Sequence, residues 1–336
     1  MKNFILKLLY VIAYHVGVFR VFFYLQKKRQ TIVTYHNVIG DDLFDSELLH
    51  LGVSCRESSF VKQLDIIKSE FKVVTEVGIP GSCIVSFDDG YKNNIEIAAR
   101  LLNDRKISGL FFVPACSFES RSILWADELL MWVSYVPTGK YTILGGQFTL
   151  DQTNESRRSL WTHIYETLLS NYVVLDSLRG ELDRQYSFDE LKTIIDKTMY
   201  RFRFEGMNPS ELEAIKKMGH GLGCHSFKHD ILSALSDDQL EDDFTKCESY
   251  SQKYNTRLYS YPFGGKSEVS PKVISACKKH HYSAAFLNYL PDREEALSIG
   301  RISLDDLNDK YFITARLCGF ERFVKKMLRM NVWLSQ

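Results

Sequence analysis

Two carboxylates stand side by side at the end of an apolar segment, at Asp88 and Asp89 in the run Ile-Val-Ser-Phe-Asp-Asp-Gly. Adjacent acids repel each other and cost desolvation free energy when buried, so a fold keeps them at a strand end only for a reason. Binding of a divalent cation is such a reason, because the cation neutralises one carboxylate and leaves its neighbour free to act as a base. An exposed Asp-Asp-Gly turn is the alternative interpretation, and this segment alone favours neither.

Two histidines, His225 and His229, follow a short Gly-Leu-Gly-Cys segment that is a strand candidate. If the chain turns helically there, imidazoles four residues apart face the same way and reach one ion. One Asp and two His residues form the three-ligand set of catalytic zinc-type sites, which keep a fourth position for water. The strand-then-ligand arrangement repeats that of Asp88 and Asp89, which favours a metal site over a solvated histidine pair.

Together the motifs resemble those of the polysaccharide deacetylase family, which shares the NodB homology domain and includes the family 4 carbohydrate esterases. Ser86–Gly90 is similar to the family's Thr/Ser-Phe-Asp-Asp-Gly, and His225–His229 to its His-Ser/Thr-x-x-His. A third signature, Arg-x-Pro-Tyr-Gly, matches loosely at Ser260–Gly264. The resemblance covers roughly residues 30–115 and 210–302, and the combination of the first two motifs is specific.

The resemblance implies roles for the acids and the histidines. Asp89, His225 and His229 are expected to hold a divalent metal, with zinc expected first and nickel, cobalt or manganese as alternatives. Asp88 is expected to be the catalytic base.

The third motif is expected to supply substrate and oxyanion contacts. In family members a backbone amide at its aromatic position helps to hold the oxyanion, and the matching residue here is Phe263. Tyr261 and Pro262 precede it, and the proline, with Gly264, suits a loop whose backbone approaches substrate closely.

Two family features have no counterpart at their usual positions. The arginine that orients the base is missing before the third motif, and Arg301 is the replacement candidate, with a surface arginine as an equal alternative.

The late Leu-x-His that carries the general acid is also missing. Poly-N-acetylglucosamine deacetylases carry a Tyr-His near the start of the domain for this role, and Tyr35-His36 resembles it. A hydrogen-bonded structural histidine is the alternative interpretation of His36.

The elements that must position these residues alternate between strand and helix. Strand candidates at 31–35, 83–87 and 110–113 are separated by helical patterns, and the alternation resumes from 209 to 304. This rhythm, with polar residues at strand ends, predicts an α/β fold, a distorted (β/α) barrel of the NodB type with about seven strands.

The alternation lapses over residues 117–208, which predicts a mixed helical and hairpin insertion between barrel segments 30–116 and 209–308. A hairpin turn is expected at Gly145-Gly146. Trp125, in Leu-Trp-Ala-Asp-Glu-Leu, either stacks on a sugar ring or anchors a helix.

Both ends of the chain are apolar and basic. Residues 1–29 predict an amphipathic helix, and residues 309–336 predict a second, basic one. Together they favour peripheral contact with a membrane surface. A solvated helix is the alternative for either end, and packing against the catalytic domain and a signal anchor are further alternatives for the first.

Composition narrows the class of protein. The sequence contains 42 Lys and Arg residues and 42 Asp and Glu residues, so its net charge is zero. It therefore lacks the excess of positive charge that attracts nucleic acid. The seven cysteines are odd in number and lack C-x-x-C spacing, which favours a reducing, cytoplasmic compartment over a disulfide framework. The sequence leaves the oligomeric state open.

The resemblance predicts a metal-dependent hydrolase that removes N-acetyl groups from an amino-sugar polysaccharide of the bacterial surface-glycan type, or from its lipid-linked precursor. One alternative is another carbon–nitrogen hydrolase on the same scaffold, such as a sugar deformylase. The other is an inactive carbohydrate-binding homologue, against which the four intact polar residues argue: a retired site has no reason to keep Asp88, Asp89, His225 and His229 together.

Overall fold

The computed structural model describes residues 2–49, 51, 53–118 and 123–328. Its strands are β1 (Thr31–Tyr35), β2 (Asn37–Ile39), β3 (Ser54–Arg56), β4 (Lys72–Val73), β5 (Ser82–Phe87), β6 (Leu110–Val113), β7 (Gly139–Ile143), β8 (Gly146–Leu150), β9 (Gly221–Cys224), β10 (Leu258–Ser260), β11 (Ala284–Leu287), β12 (Ile299–Gly300) and β13 (Ile302–Ser303).

The α-helices are α1 (Lys2–His15), α2 (Val18–Gln26), α3 (Asp41–Ser46), α4 (Glu57–Glu70), α5 (Arg100–Asp104), α6 (Trp125–Tyr135), α7 (Asn154–Ser170), α8 (Leu175–Gln185), α9 (Phe188–Ile194), α10 (Lys197–Arg203), α11 (Pro209–Lys217), α12 (Asp237–Lys253), α13 (Pro271–Lys279), α14 (Lys310–Leu317) and α15 (Phe320–Met327). A π-helical segment, Asn94–Ala99, runs directly into α5.

Eight strands form a parallel sheet in the order β12, β11, β10, β9, β6, β5, β1, β13, and β4 also pairs with β5. The two end strands are consecutive in the chain and are separated only by Arg301. β12 pairs with β11 through Leu287 and Gly300, and β13 pairs with β1 through Val33 and Ile302. The sheet is therefore a nearly closed barrel surrounded by helices, which confirms the predicted distorted (β/α) fold.

The register of the first strands decides which residues reach the barrel rim. Every residue of β1, β5 and β6 is buried, as expected for parallel strands covered on both faces. Tyr35 pairs with Phe87, and Phe87 pairs with Phe111. The residues that follow β1 and β5, His36 and Asp88, therefore leave the sheet side by side at its carboxyl edge.

The insertion builds its own hydrophobic cluster, to which α6, α7, α8, α9, β7 and β8 contribute. The predicted hairpin is present, but its turn lies at Leu144 and Gly145, one residue earlier than expected. Both have positive φ, 50° and 76°, as the two-residue hairpin turn requires, while Gly146 pairs with Ile143 in the ladder.

Within the insertion, α9 and α10 are two separate helices. Ile195 has extended backbone dihedrals, and Asp196 caps the next helix by accepting from the N–H groups of Thr198 and Met199. The division follows from the preference of aspartate for the N-cap over the helix interior.

Each terminal segment forms two helices where the sequence predicts one. Gly17, with φ of 83°, separates α1 from α2, which are bent by 78°, and Gly319, with φ of 80°, separates α14 from α15. These left-handed conformations favour glycine and end the preceding helix. The two ends pack on each other, since the Tyr10 ring lies 4.9 Å from that of Phe312 and 5.8 Å from that of Phe320. Residues 329–336 of the second prediction lie outside the described residues.

Candidate functional site

The residues singled out in the sequence gather at the carboxyl edge of the barrel. They follow the ends of five strands, which is where parallel-barrel enzymes hold their active sites. The strand ends contribute His36 after β1, Asp88 and Asp89 after β5, His225 after β9, Phe263 in the loop after β10, and Arg301 between β12 and β13.

Asp89, His225 and His229 form a buried cluster of metal-ligand type. Asp89 Oδ1 lies 3.1 Å from His225 Nε2 and 3.1 Å from His229 Nε2. One ligand atom from each of the three residues can be chosen such that all lie within 4.8 Å of one another. The distance between Asp89 and His229 is well inside the ~8 Å beyond which the two residues could not share one ion.

The protein fixes which nitrogen of His225 faces the cluster. His225 Nδ1 lies 2.7 Å from the carbonyl oxygen of Ser260. A carbonyl only accepts hydrogen bonds, so Nδ1 carries the proton and Nε2 is directed at Asp89. Metal-binding histidines are commonly oriented by such a bond from the non-ligating nitrogen.

The histidine pair does not converge through a helical turn, so that part of the sequence-based prediction is wrong. Residues 225–231 form a loop, in which Ser226 and His229 adopt positive φ of 60° and 62°. The His229 N–H donates to Ser226 Oγ at 2.8 Å, and the Phe227 N–H donates to Asp243 Oδ2 at 3.1 Å. The loop thus brings both imidazoles to Asp89 through a tight side-chain-supported turn.

Backbone strain concentrates at this site. Nine described residues other than glycine have positive φ, and four of them are Asp89 (70°), Ser226 (60°), His229 (62°) and Phe263 (59°). Such conformations cost of order 1–3 kcal/mol each and persist only where the surrounding structure enforces them. Their concentration here indicates that the fold positions these residues for function.

Asp88 is held by a buried network centred on Arg301. Arg301 Nη1 donates to Asp88 Oδ1 at 2.7 Å and Nη2 donates to Oδ2 at 2.5 Å, while Ser260 Oγ donates to Oδ2 at 3.1 Å. Burial alone would raise the pKa of Asp88, but Arg301 and then His225 outweigh it and hold that pKa below its usual range. Arg301 is fully buried, so the surface-arginine alternative is wrong.

Arg301→Met is expected to move the acid limb of the pH profile of kcat/KM to higher pH. Without the guanidinium, burial acts unopposed by Arg301 and raises the pKa of Asp88, so the base form is lost at a higher pH. Breaking a buried pair also lowers the free energy of unfolding by about 3–5 kcal/mol. Arg301→Lys, which keeps the charge, is expected to shift the limb less. An unchanged acid limb in the methionine variant would show that Asp88 is not the titrating base.

His36 lies beside both acids. It follows β1, is partly buried, and its carbonyl oxygen accepts from Asn94 Nδ2 at 2.7 Å. Burial lowers the pKa of His36, although the charges of Asp89 and Asp88 oppose this shift. The imidazole is therefore close enough to both carboxylates for their charges to favour its protonated form.

The Phe263 loop is fixed by Asn288. Asn288 Nδ2 donates to the Phe263 carbonyl oxygen at 2.8 Å, and its Oδ1 accepts from Arg301. Gly264, with φ of 65°, lies so close that an added Cβ would be 2.9 Å from the Asn288 nitrogen. Among the described residues, no acceptor pairs with the Phe263 N–H, which leaves this amide available to a substrate oxygen.

The other two residues predicted for substrate contact in this loop lie deeper. Tyr261 is fully buried and its hydroxyl donates to the Leu297 carbonyl oxygen at 3.0 Å, so its side chain contacts the core instead of substrate. Pro262 is buried as well, and its carbonyl oxygen accepts from the Gly264 N–H at 2.6 Å. These two residues support the position of Phe263.

Trp125 anchors the insertion to the histidine loop. It is 8% exposed, and its indole N–H donates to the His229 carbonyl oxygen at 3.0 Å. Its ring lies 6.0 Å from that of Phe263 and 5.6 Å from that of Tyr172. This burial favours the anchoring interpretation over a sugar-stacking platform.

Several further polar residues support the site. Ser260 and Asn288 hold the histidine, the base and the third-motif loop together through the bonds given above. Asp127 is buried two residues after Trp125 and accepts from the Tyr91 hydroxyl at 2.9 Å. Burial raises the pKa of Asp127 to about 6. Single polar residues of this kind carry no spacing signal, so only the three-dimensional structure identifies them.

Comparisons with known proteins agree with this site. The family model for polysaccharide deacetylase matches residues 192–285, which contain the histidine motif and the third motif. A search of curated proteins found no match. The structure of IcaB from Ammonifex degensii is similar with a TM-score of 0.50 and 15% identity, covering 87% of this chain and 98% of that one.

A second solved structure, the Streptococcus pyogenes deacetylase PplD in complex with acetate, is also similar, with a TM-score of 0.50 and 11% identity. The alignment covers 85% of this chain and 97% of that one. At such identities these similarities concern the fold. The family model matches residues 192–285, and the Asp-Asp and His-x-x-x-His motifs lie at one rim, so the chain is similar to the polysaccharide deacetylases in this region and at this site. This similarity indicates an enzyme of the deacetylase class.

Proposed function

We propose that this deacetylase is metal-dependent and removes N-acetyl groups from an amino-sugar polymer of the surface-glycan type, or from its lipid-linked precursor. The observation that carries the proposal is that two adjacent buried carboxylates have different partners. Asp88 is paired with Arg301, whereas Asp89 faces His225 and His229. One acid is thereby prepared to act as a base, and the other to bind a cation.

The donor set fits a divalent metal. One carboxylate oxygen and two imidazole nitrogens, all from buried residues, suit zinc and also suit nickel, cobalt or manganese. Asp89 stays ionised, because His229 and His225 outweigh the effect of its burial and lower its pKa well below the usual range. When bound, the metal would supply the positive charge that acidifies water and polarises the acyl oxygen.

The chain's own residues supply the remaining groups for amide hydrolysis. Asp88 takes a proton from the attacking water, whose oxygen bonds to the acyl carbon, and Arg301 keeps Asp88 oriented and ionised. The Phe263 N–H, which has no acceptor among the described residues, holds the negative charge that develops on the acyl oxygen. Protonated His36 passes its proton to the nitrogen as the carbon–nitrogen bond breaks, which yields a carboxylic acid and a free amine, and the acid then loses its proton to solvent.

The test is incubation of the purified, metal-loaded protein with a panel of N-acetylated glycans, with mass detection of acetyl loss and separate assays for acetate and formate. We expect acetate release from at least one amino-sugar polymer, with no formate from matched N-formyl sugars. Formate release alone would favour the deformylase alternative. Glycan binding without any acyl release would favour the inactive carbohydrate-binding homologue.

A further inference from the structure

The terminal helices expose an apolar surface that the active site does not use. Among the described residues, sixteen large hydrophobic side chains are exposed, and thirteen of these lie in or beside α1, α2 and α15. We call this set the terminal apolar face: Phe4, Ile5, Leu8, Leu9, Ile12, Tyr14, Val16, Val21, Tyr24, Leu25, Phe323, Met327 and Leu328. Soluble monomers rarely leave so many apolar side chains together on one surface.

The face is the outer side of helices whose inner sides are already packed. In α1, Phe4, Leu8 and Ile12 recur every fourth residue and are 73%, 51% and 52% exposed, whereas Tyr10 and Ala13 are buried. The inner residues join α1 to α14 and α15 in one aromatic cluster. The outer residues are therefore unnecessary for the packing of this helix, which is apolar on both sides.

The same helices differ in charge from the rest of the protein. The first forty residues contain six Lys or Arg residues and no Asp or Glu, although the whole chain is neutral. Arg20, Lys28, Arg29 and Lys326 are exposed, and none has an acidic partner among the described residues. Cations thus border the apolar face without internal neutralisation.

The helices are arranged for contact along a surface. Within the described part of the chain, no single helix is long and apolar enough to cross a membrane, and only the pair Phe4–His15 and Val18–Gln26 passes that test together. That pair is bent by 78° at Gly17, and α1 is held to the protein by the Tyr10 cluster. An apolar face with cations at its border, on helices fixed to a folded domain, has the properties of an interfacial helix.

We propose that the terminal apolar face binds the surface of a bilayer containing anionic lipid, with α1, α2 and the end of α15 in the headgroup region. Charge decides between this partner and a second copy of the chain. A two-fold dimer through this face would bring the cations of both copies together. An anionic bilayer instead neutralises them while the apolar side chains leave water. This inference does not depend on the proposed substrate or metal.

The test is flotation of the full-length protein with vesicles of phosphatidylcholine alone or with about one third phosphatidylglycerol. We expect binding to the anionic vesicles, weakened by added salt because the cations are exposed. The double variant Leu8→Glu/Ile12→Glu is expected to bind about 100-fold more weakly or worse, since two apolar side chains no longer leave water. Arg20→Glu/Lys28→Glu is expected to lose at least about 25-fold on anionic vesicles.

The chain offers a matched control in Val173→Glu, which alters an apolar side chain that is 84% exposed and lies away from the terminal helices. It is expected to bind like the unaltered protein, and circular dichroism is expected to give the same fold for all variants. Three results would overturn the proposal: no flotation with anionic vesicles at low salt, equal flotation of the Leu8/Ile12 variant, or a solution dimer that this variant abolishes while vesicles bind nothing.

Discussion

Asp88→Asn is expected to lose about 10²–10⁴-fold in kcat while it keeps its metal. The amide has the shape of the carboxylate but cannot take a proton from water, and Asp89, His225 and His229 remain unchanged. Metal analysis of the purified variant, together with kcat for acetyl release, measures both quantities. Asp189→Asn, on an exposed side chain of the insertion, is the matched control and is expected to be fully active.

His225→Ala is the counterpart to this variant. Removing one of three ligands is expected to lower metal affinity, and activity is expected to return in part at high metal concentration. If Asp88→Asn and His225→Ala lost metal equally, the roles of Asp88 and Asp89 would be reversed. The contacts argue against that outcome, because Asp88 is occupied by Arg301 while Asp89 faces both imidazoles.

His36→Ala is expected to keep its fold and metal but to lose about 10²-fold or more in kcat on the amide substrate. An amine leaves poorly unless it is protonated as the carbon–nitrogen bond breaks, and His36 is the histidine outside the ligand set that lies beside Asp88 and Asp89. An activated ester of the same acyl group is expected to lose much less, because its leaving group needs little protonation.

Comparing the rates of amide and ester hydrolysis by His36→Ala distinguishes a general acid from a histidine with only a structural role. A merely structural role for His36 would lower both rates together, whereas loss of the acid lowers chiefly the amide rate. His281→Ala, at an exposed position in the turn after α13, serves as the control. Near-normal amide hydrolysis by His36→Ala would direct the search to Asp127, whose pKa burial raises to about 6.

The barrel and its rim could be predicted because their signals are local. Apolar runs ending in acids or histidines mark strands whose carboxyl ends carry chemistry, and β1, β5 and β9 all have this form. Burial on both faces makes such runs recognisable without knowledge of their partners. The family motifs then indicated which strand ends belong to one site.

The remaining details depend on contacts between distant parts of the chain. Nothing local distinguishes Arg301 from a surface arginine, because its partner Asp88 lies 213 residues away. The histidine loop has helical spacing, yet Ser226 and Asp243 hold it in a different turn. Tyr261 sits in a motif that suggests substrate contact, and only the packing of β10 shows that its ring points inward. Tertiary contacts override local patterns at these positions.

The central claim is that a metal held by Asp89, His225 and His229 is required for deacetylation, and metal removal tests it most directly. Protein stripped with a chelator and dialysed is to be assayed for acetate release from an N-acetylated glycan, alone and after addition of zinc, nickel, cobalt or manganese. We predict that the stripped protein releases no acetate and that one equivalent of at least one of these metals restores release. Undiminished release by the metal-free protein would contradict the account.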